Sequence, residues 1–139
     1  MSTLDSQSSA VTSILLLGNP NVGKTTLFNR LCGLRSATAN FPGSTVEARI
    51  GSSVRGSVKR TFTDLPGTYS LHTTDDLAKV CCHALDREQA DTVVVIADAT
   101  NLRRNLTIVN EVLHRVVRCV VVLSMADIAQ KSGLTIDCE

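Results

Sequence analysis

A glycine-rich segment near the start of the chain, Gly18 to Thr25, has the residue types and spacing of a phosphate-binding loop. It reads Gly-Asn-Pro-Asn-Val-Gly-Lys-Thr and matches the pattern G-x-x-x-x-G-K-[ST]. Glycines let a backbone wrap closely around phosphates, so that several N–H groups point at the anion. Lys24 would add positive charge for the β- and γ-phosphates, and the Thr25 hydroxyl could bind Mg²⁺. The candidate binding residues here are Gly18, Asn19, Pro20, Asn21, Val22, Gly23, Lys24, Thr25 and Thr26.

Two later segments follow in the order that a nucleoside triphosphate site needs. Asp64-Leu-Pro-Gly67 offers a carboxylate near the metal and, at Gly67, a backbone N–H for the γ-phosphate. In Pro42-Gly-Ser-Thr45, a hydroxyl and a carbonyl could close over the metal. Each segment alone is also ordinary turn chemistry. Together they predict loops that contact the γ-phosphate only while it is present, which would make an order–disorder switch. The candidate residues of the two segments are Ser44, Thr45, Asp64 and Gly67.

A fourth segment, Ser124-Met-Ala-Asp127, could recognise a base. It directly follows the last predicted strand, where small GTPases place N-K-x-D. Asp127 could accept hydrogen bonds from guanine N1–H and the exocyclic amine, and adenine offers no such pair of donors at that edge. Asp127 could instead cap a helix that begins at Ile128. Ser124 and Asp127 are therefore candidate base-binding residues, with a capping role as the alternative for Asp127.

These loops need a sheet and helices to position them, and the apolar pattern predicts both. Strands are predicted at residues 12–17, 46–54, 57–63, 92–97 and 118–123. Helices are predicted at residues 24–32, 74–85 and 101–116, and loops at 35–45 and 64–71. Strands that alternate with helices predict an α/β domain of three layers, with a mostly parallel sheet and one antiparallel edge hairpin.

The composition sets limits on the class of protein. The chain has 139 residues, 43% of them hydrophobic and 19% charged, which predicts one domain with a packed core. A net charge of +1 and 3% aromatic residues give no electrostatic or stacking case for nucleic acid as a partner. Every apolar run is shorter than the roughly 20 residues of a membrane helix, so we expect a soluble chain. Residues 1–12 are rich in Ser and Thr and have no basic region followed by an apolar stretch, so they predict a flexible leader and not a signal peptide.

The five cysteines predict reduced thiols and no disulfide framework. Their number is odd, and their spacing lacks the paired C-x-x-C pattern of a metal site. Cys81, Cys82 and His83 are neighbours, but successive residues on a helix point about 100° apart and no second ligand pair is evident.

Four blocks of sequence together resemble the N-terminal G domain of the bacterial ferrous iron transport protein B (FeoB) family. They are GNPNVGKTTLFNRLCG, NFPGSTVE at 40–47, DLPGTYSL at 64–71 and VVIADATNLRRNL at 94–106. The resemblance extends from about residue 13 to residue 137. It implies a P-loop G domain that hydrolyses GTP on the cytoplasmic side of the bacterial inner membrane. Its partner would be a permease domain of the same full-length protein that takes up Fe²⁺.

The resemblance also implies roles for individual residues. It assigns Lys24 to the phosphates, Thr25 and Thr45 to Mg²⁺, Asp64 to the outer shell of the metal and Gly67 to the γ-phosphate. The implied ligands are GTP or GDP together with Mg²⁺.

Two further positions concern the rate of hydrolysis. Asn21 falls where potassium-activated members of this class have an Asn that holds K⁺ near the phosphates, and the ion would offset charge that develops there. Thr68 follows Gly67, where Ras-like proteins have a Gln that orients water, so we expect slow hydrolysis. The catalytic candidates are Lys24, Asn21, Thr45 and Gly67.

The chain departs from the family pattern at two places. Ser124 stands where the family has Asn, whose amide contacts guanine, so we expect weaker or less selective guanine binding. Family G domains also continue with a further strand and a helix, which residues 134–139 are too short to supply. We therefore expect a G domain at 13–139 that is shortened at its C-terminus, with strand 117–123 as an uncovered apolar edge. That edge predicts association between copies of the chain.

Two other classes of function remain open on the residues alone. The first is a nucleotide-dependent binding or regulatory module with negligible hydrolysis and relaxed choice of base. The second is a P-loop kinase or ATPase, which the ordered D-L-P-G segment and Asp127 disfavour. The transporter assignment rests on the resemblance, because the fold class alone does not specify it.

Overall fold

Six strands form one mixed sheet in the computed structural model, which describes residues 11–87 and 90–139. The strands are β1 (Val11–Gly18), β2 (Ser36–Asn40), β3 (Glu47–Arg55), β4 (Val58–Asp64), β5 (Thr92–Asp98) and β6 (Cys119–Ser124). Their order across the sheet is β2-β3-β4-β1-β5-β6. β4, β1, β5 and β6 run parallel, whereas β3 is antiparallel to both β2 and β4. The predicted α/β class with a mostly parallel sheet is confirmed.

Helices cover both faces of this sheet. They are α1 (Lys24–Cys32), α2 (Asp76–Arg87), α3 (Leu102–Leu113) and α4 (Ala126–Lys131), with a 3₁₀ turn at Ala99–Asn101 before α3. Successive side chains of a strand point to opposite faces, so the apolar run of β1 serves two cores. Leu15 and Leu17 pack in a cluster with α2 and α3, whereas Leu16 packs in a second cluster with Phe28 of α1. This double burial explains why β1 is continuously apolar.

The predicted loop at 35–45 is wrong in part, because residues 36–40 form β2 at the edge of the sheet. All five side chains of β2 are exposed, so the strand carries no apolar signal. It is held by antiparallel pairing with β3, from Ser36 opposite Gly51 to Asn40 opposite Glu47. The predicted hairpin of β3 and β4 is confirmed, with β2 lying outside it.

Element ends differ from the predictions by a few residues. A flexible leader was predicted at residues 1–12. Residues 1–10 lie outside the described part of the chain, whereas Val11 and Thr12 belong to β1. Asp75 is the residue before α2, and its carboxylate accepts a hydrogen bond from the Ala78 N–H at 2.8 Å. A hydrogen bond from the Thr73 hydroxyl, followed by that of the Ala78 N–H, lowers the pKa of Asp75. α3 ends at Leu113 rather than at residue 116.

The parallel strands determine where a site can form. Because β4, β1, β5 and β6 run in one direction, their carboxyl ends meet at one edge of the sheet. The loops that carry the candidate residues follow these ends: 19–23 after β1, 65–75 after β4 and Met125 after β6. Within residues 11–87 and 90–139, no helix combines the length and apolar character needed to cross a membrane.

Candidate functional site

The loop between β1 and α1 has the backbone of an anion cradle. Asn21 and Gly23 both lie in the left-handed region, with φ of 62° and 90°. Gly23 immediately precedes α1, whose first backbone N–H groups have no partner within the helix and are available to an anion. Gly18 lies against β5, where a Cβ atom would come within 2.6 Å of the carbonyl oxygen of Ile96. Glycine is therefore required at both ends of the loop.

A cavity of about 610 Å³ opens beside this loop. It brings together eight of the sequence-predicted residues: Asn19, Pro20, Asn21, Gly23, Lys24, Thr25, Thr26 and Gly67. Leu77 of α2 and Met125 complete its lining, and sequence reasoning missed both. Neither has a side chain with obvious phosphate chemistry, so only the fold could reveal them. Val22 does not line this cavity because its side chain is buried in the core beneath α1.

Lys24, which lines this cavity, forms a buried ion pair with Asp64, which is not among the lining residues. The exposed fractions of their side chains are 10% and 6%, and the Lys24 ammonium contacts the Asp64 carboxylate directly. Each charge thus compensates the other. A phosphate that approaches Lys24 and a metal that approaches Asp64 would replace this pairing with two new ones.

The loop after β4, residues 65–75, lies directly against the loop after β1. The Thr68 N–H donates a hydrogen bond to the Gly18 carbonyl at 3.1 Å. A Cβ atom on Gly67 would lie 2.9 Å from Cα of Pro20, so only glycine permits this approach. Thr68 is buried, and its hydroxyl donates to the Ser70 carbonyl at 2.9 Å. The Gly67 backbone is therefore held at the cavity by the close packing of the two loops.

Ser44 and Thr45 do not line the cavity at Lys24. They line a separate cavity of about 470 Å³ between residues 41–45 and α2, where His83 and Lys79 are also found. The Ser44 hydroxyl oxygen accepts a hydrogen bond from the Val46 N–H at 2.9 Å, which stabilises this placement. Thr45 is therefore not among the residues that line the cavity at Lys24.

Ser124 and Asp127 line a third cavity, of about 630 Å³, which shares Gly23, Thr26 and Met125 with the first. The Ser124 hydroxyl donates to the Ala97 carbonyl at 3.3 Å and is thus directed towards β5. Asp127 is exposed in the first turn of α4. The alternative that Asp127 caps this helix is wrong, because Met125 occupies the capping position with φ of 55°.

Thr25, which lines the first cavity, and Asp64, which contacts Lys24, offer donors that suit Mg²⁺. The Thr25 hydroxyl and the Asp64 carboxylate are the hard oxygen ligands that this ion prefers, and triphosphate oxygens would complete its shell. Asn19 adds an unusual feature. Asn19 is only 3% exposed, and its Oδ1 atom has no hydrogen-bond partner among the residues that the structure describes. Such an oxygen can be satisfied by a cation or a donor that a ligand brings.

Comparison with known proteins gives a consistent family. A protein-family sequence model, described as ferrous iron transport protein B, matches residues 12–139. The Fe(2+) transporter FeoB of Salmonella typhimurium is 42% identical over 129 residues, which is 90% of this chain and 17% of that protein. The chain therefore spans about a sixth of the length of the curated relatives it matches.

Solved structures agree with this comparison. The G domain of the T. maritima FeoB iron transporter is 35% identical, with a TM-score of 0.86 over 92% of this chain and 78% of that one. The cytosolic domain of the same transporter in a GDP form is 36% identical, with a TM-score of 0.88 over 92% of this chain and 50% of that one.

Proposed function

The chain belongs to the ferrous iron transport protein B family, and from this premise we propose that it binds GTP and GDP and hydrolyses GTP slowly. The observation that carries the proposal is the buried Lys24–Asp64 pair, whose Lys24 lines a cavity together with residues of the loop after β1 and Gly67. A cation at the cavity, with a carboxylate in contact with it, suits a phosphate group and its metal.

Different residues of the chain bind the phosphates and the metal ion. Lys24 leaves Asp64 and binds the β- and γ-phosphates, while the first backbone N–H groups of α1 bind the phosphates from the loop side. Thr25 and Asp64 would hold Mg²⁺, directly or through water, and the ion when bound neutralises charge on the phosphates. The Gly67 N–H would donate to the γ-phosphate, since Gly67 lines the cavity and its loop lies against Pro20.

Slow hydrolysis follows from the residue after Gly67. Thr68 is buried and donates its hydroxyl to the Ser70 carbonyl, so this side chain does not reach water at the γ-phosphate. Asn21, at the rim of the cavity, is the residue that would hold K⁺. A monovalent cation there would offset charge that develops between the β- and γ-phosphates, which would raise the rate.

The wider role is that of a nucleotide switch on the cytosolic side of a bacterial inner-membrane transporter for Fe²⁺. The support is that the matched relatives are named Fe(2+) transporters and that this chain corresponds to 17% of their length. A solved relative from L. pneumophila is described as a cytosolic domain. The partner would be the permease part of the same full-length protein.

Phosphate release from GTP and Mg²⁺ in K⁺ or Na⁺ buffer tests the proposal. We expect a slow rate in Na⁺, a faster rate in K⁺ and loss of the K⁺ effect in Asn21→Ala, with GDP binding retained in both proteins. Absence of release above the buffer rate in either salt, with GDP still bound, would instead support the second candidate, a nucleotide-dependent binding module with negligible hydrolysis.

A further inference from the structure

Glu111 of α3 binds the loop at 65–75 through both of its carboxylate oxygens. Oε1 accepts a hydrogen bond from the Ser70 hydroxyl at 2.7 Å, and Oε2 accepts one from the Leu71 N–H at 2.6 Å. The side chain of Glu111 is only 10% exposed. A carboxylate is costly to bury unless hydrogen bonds compensate it, and here donors from the loop supply that compensation.

Arg104 provides a second contact from the same helix. Its guanidinium carbon lies 4.2 Å from the centre of the Tyr69 ring, a cation–π geometry. Arg104 and Glu111 are separated by about two helical turns, so they lie on one face of α3. The His72 Nε2 atom also lies 3.9 Å from Glu111 Oε1, so α3 contacts four consecutive residues of the loop, Tyr69 to His72.

Leu71 is also fixed by the core and by α2. It is 4% exposed, and its carbonyl accepts a hydrogen bond from the Cys82 thiol at 3.3 Å. At the other end of the segment, Thr68 and Gly67 are docked on Gly18 and Pro20. The loop is therefore anchored on both sides of Tyr69.

We propose that Glu111 is a positioning residue for the phosphate site, which holds Ser70 and Leu71 so that the Gly67 N–H stays within reach of a γ-phosphate. Glu111 does not touch the ligand. A loop already fixed at 70–71 has fewer residues to order when the γ-phosphate arrives, so binding of GTP costs less conformational entropy. GDP lacks that phosphate and gains nothing from the anchor. This inference rests on the proposed function, because it presumes that guanine nucleotides bind at Lys24.

Three variants separate positioning from a simple structural role. Glu111→Leu removes both acceptors, whereas Glu111→Gln keeps an acceptor for the Leu71 N–H and can donate to the Ser70 hydroxyl. Thr107→Leu is the matched control, since Thr107 is exposed one turn earlier on the same helix. For each protein, displacement of a fluorescent nucleotide measures affinity for GDP and for a non-hydrolysable GTP analogue. Amide hydrogen exchange without ligand follows residues 65–75.

In Glu111→Leu we expect affinity for the GTP analogue to fall about tenfold and affinity for GDP to stay within about twofold. The Leu71 amide should exchange faster. Glu111→Gln and Thr107→Leu should resemble the wild type in both measurements. If Glu111→Leu does not fold, Ser70→Ala, which removes one of the two donors, should give a smaller loss in the same direction.

Two results would overturn the inference alone while leaving the proposed function intact. The first is a Glu111→Leu protein that binds both nucleotides as the wild type does. The second is an equal loss of affinity for GDP and for the GTP analogue, which is the signature of a general structural defect. A wild-type protein that binds neither nucleotide would overturn the proposed function, and this inference with it.

Discussion

At the scale of single residues, the Lys24–Asp64 pair links the stability of the ligand-free protein to its proposed binding. Both groups are buried, and each compensates the charge of the other. A buried pair contributes little net stability compared with an apolar pair, but the loss of one partner leaves an uncompensated charge. The residues proposed to bind phosphate and metal are thus the same ones that neutralise each other's buried charge in the fold.

Lys24→Met should therefore destabilise the ligand-free protein by about 3–5 kcal/mol, because it leaves the Asp64 carboxylate buried and unpaired. The double variant Lys24→Met with Asp64→Asn should recover more than half of that loss, since a neutral amide costs less to bury. Urea unfolding of the three proteins measures this. A double variant no more stable than Lys24→Met would show that the buried charge is not the cause.

Ser124 is the second residue with a specific consequence. The Ser124 hydroxyl donates its hydrogen bond to the Ala97 carbonyl of β5, so this side chain has little hydrogen-bonding capacity left for a nucleotide base. In Ser124→Asn, the longer amide should reach the cavity shared with Gly23 and raise the preference for GDP over ADP about tenfold. Competition binding of the two nucleotides to both proteins measures the ratio, and no gain in guanine preference would contradict the idea.

At the scale of elements, α2 supports loop 65–75 through a buried thiol. The Cys81 thiol donates to the Pro66 carbonyl at 3.3 Å, and burial raises its pKa from 9.0 to about 12. Between these pH values the unfolded chain releases the thiol proton while the folded chain retains it. The contribution of the Cys81 thiol to the free energy of unfolding is therefore fully present below pH 9.0 and is lost as the pH rises towards 12.

The Cys81→Ala variant should lose this component of the alkaline sensitivity. Above pH 9.0, the slope of unfolding free energy against pH should be less negative than that of the wild type by up to about 1.4 kcal/mol per pH unit. Urea unfolding from neutral to alkaline pH measures the slopes. Cys138→Ala, at an exposed cysteine, is the control and should match the wild type. Parallel slopes in all three proteins would refute the assignment to Cys81.

The elements that the sequence predicted are those with a strong local signal. β1 and β5 are buried on both faces and therefore read as apolar runs, and the G-x-x-x-x-G-K-T pattern marks the turn into α1. β2 was not predicted as a strand, because its Ser-Ala-Thr-Ala-Asn sequence is exposed and the strand depends on pairing with β3. α4 is only six residues long, which is too short for a periodic pattern.

The site shows the same division between local and distant information. The residues of the loop after β1 come together because they are neighbours in sequence. Glu111 was not predicted because it lies 40 residues from Leu71 in the sequence. Only the sheet order and the packing of the helices bring the two residues into contact. Thr45 was predicted from its motif, but its motif gives no information on which cavity its loop occupies.

At the scale of the whole molecule, β6 forms one edge of the sheet in the described part of the chain. It pairs with β5 on one side, and Val120 and Val121 are 49% and 41% exposed. The strand carries no charged residue that would discourage pairing with another chain.

We expect copies of the chain to associate through β6 as the concentration rises. Light scattering should then report an average mass that increases with concentration, and Val121→Lys should return it to that of the monomer, since an edge lysine opposes strand pairing. Val117→Lys is the matched control, because Val117 is exposed just before β6 and should leave association unchanged. A wild-type mass that stays monomeric at every concentration would contradict this expectation.

The central claim is that Lys24 and its cavity form a guanine nucleotide site. Calorimetric titration of GDP with Mg²⁺ into the wild type and into the Lys24→Met, Asp64→Asn double variant tests it most directly, since the double variant keeps the buried site uncharged. We predict saturable binding of one GDP per chain in the wild type and its loss in the double variant. Absence of GDP binding in the wild type, or equal binding in both proteins, would contradict the claim.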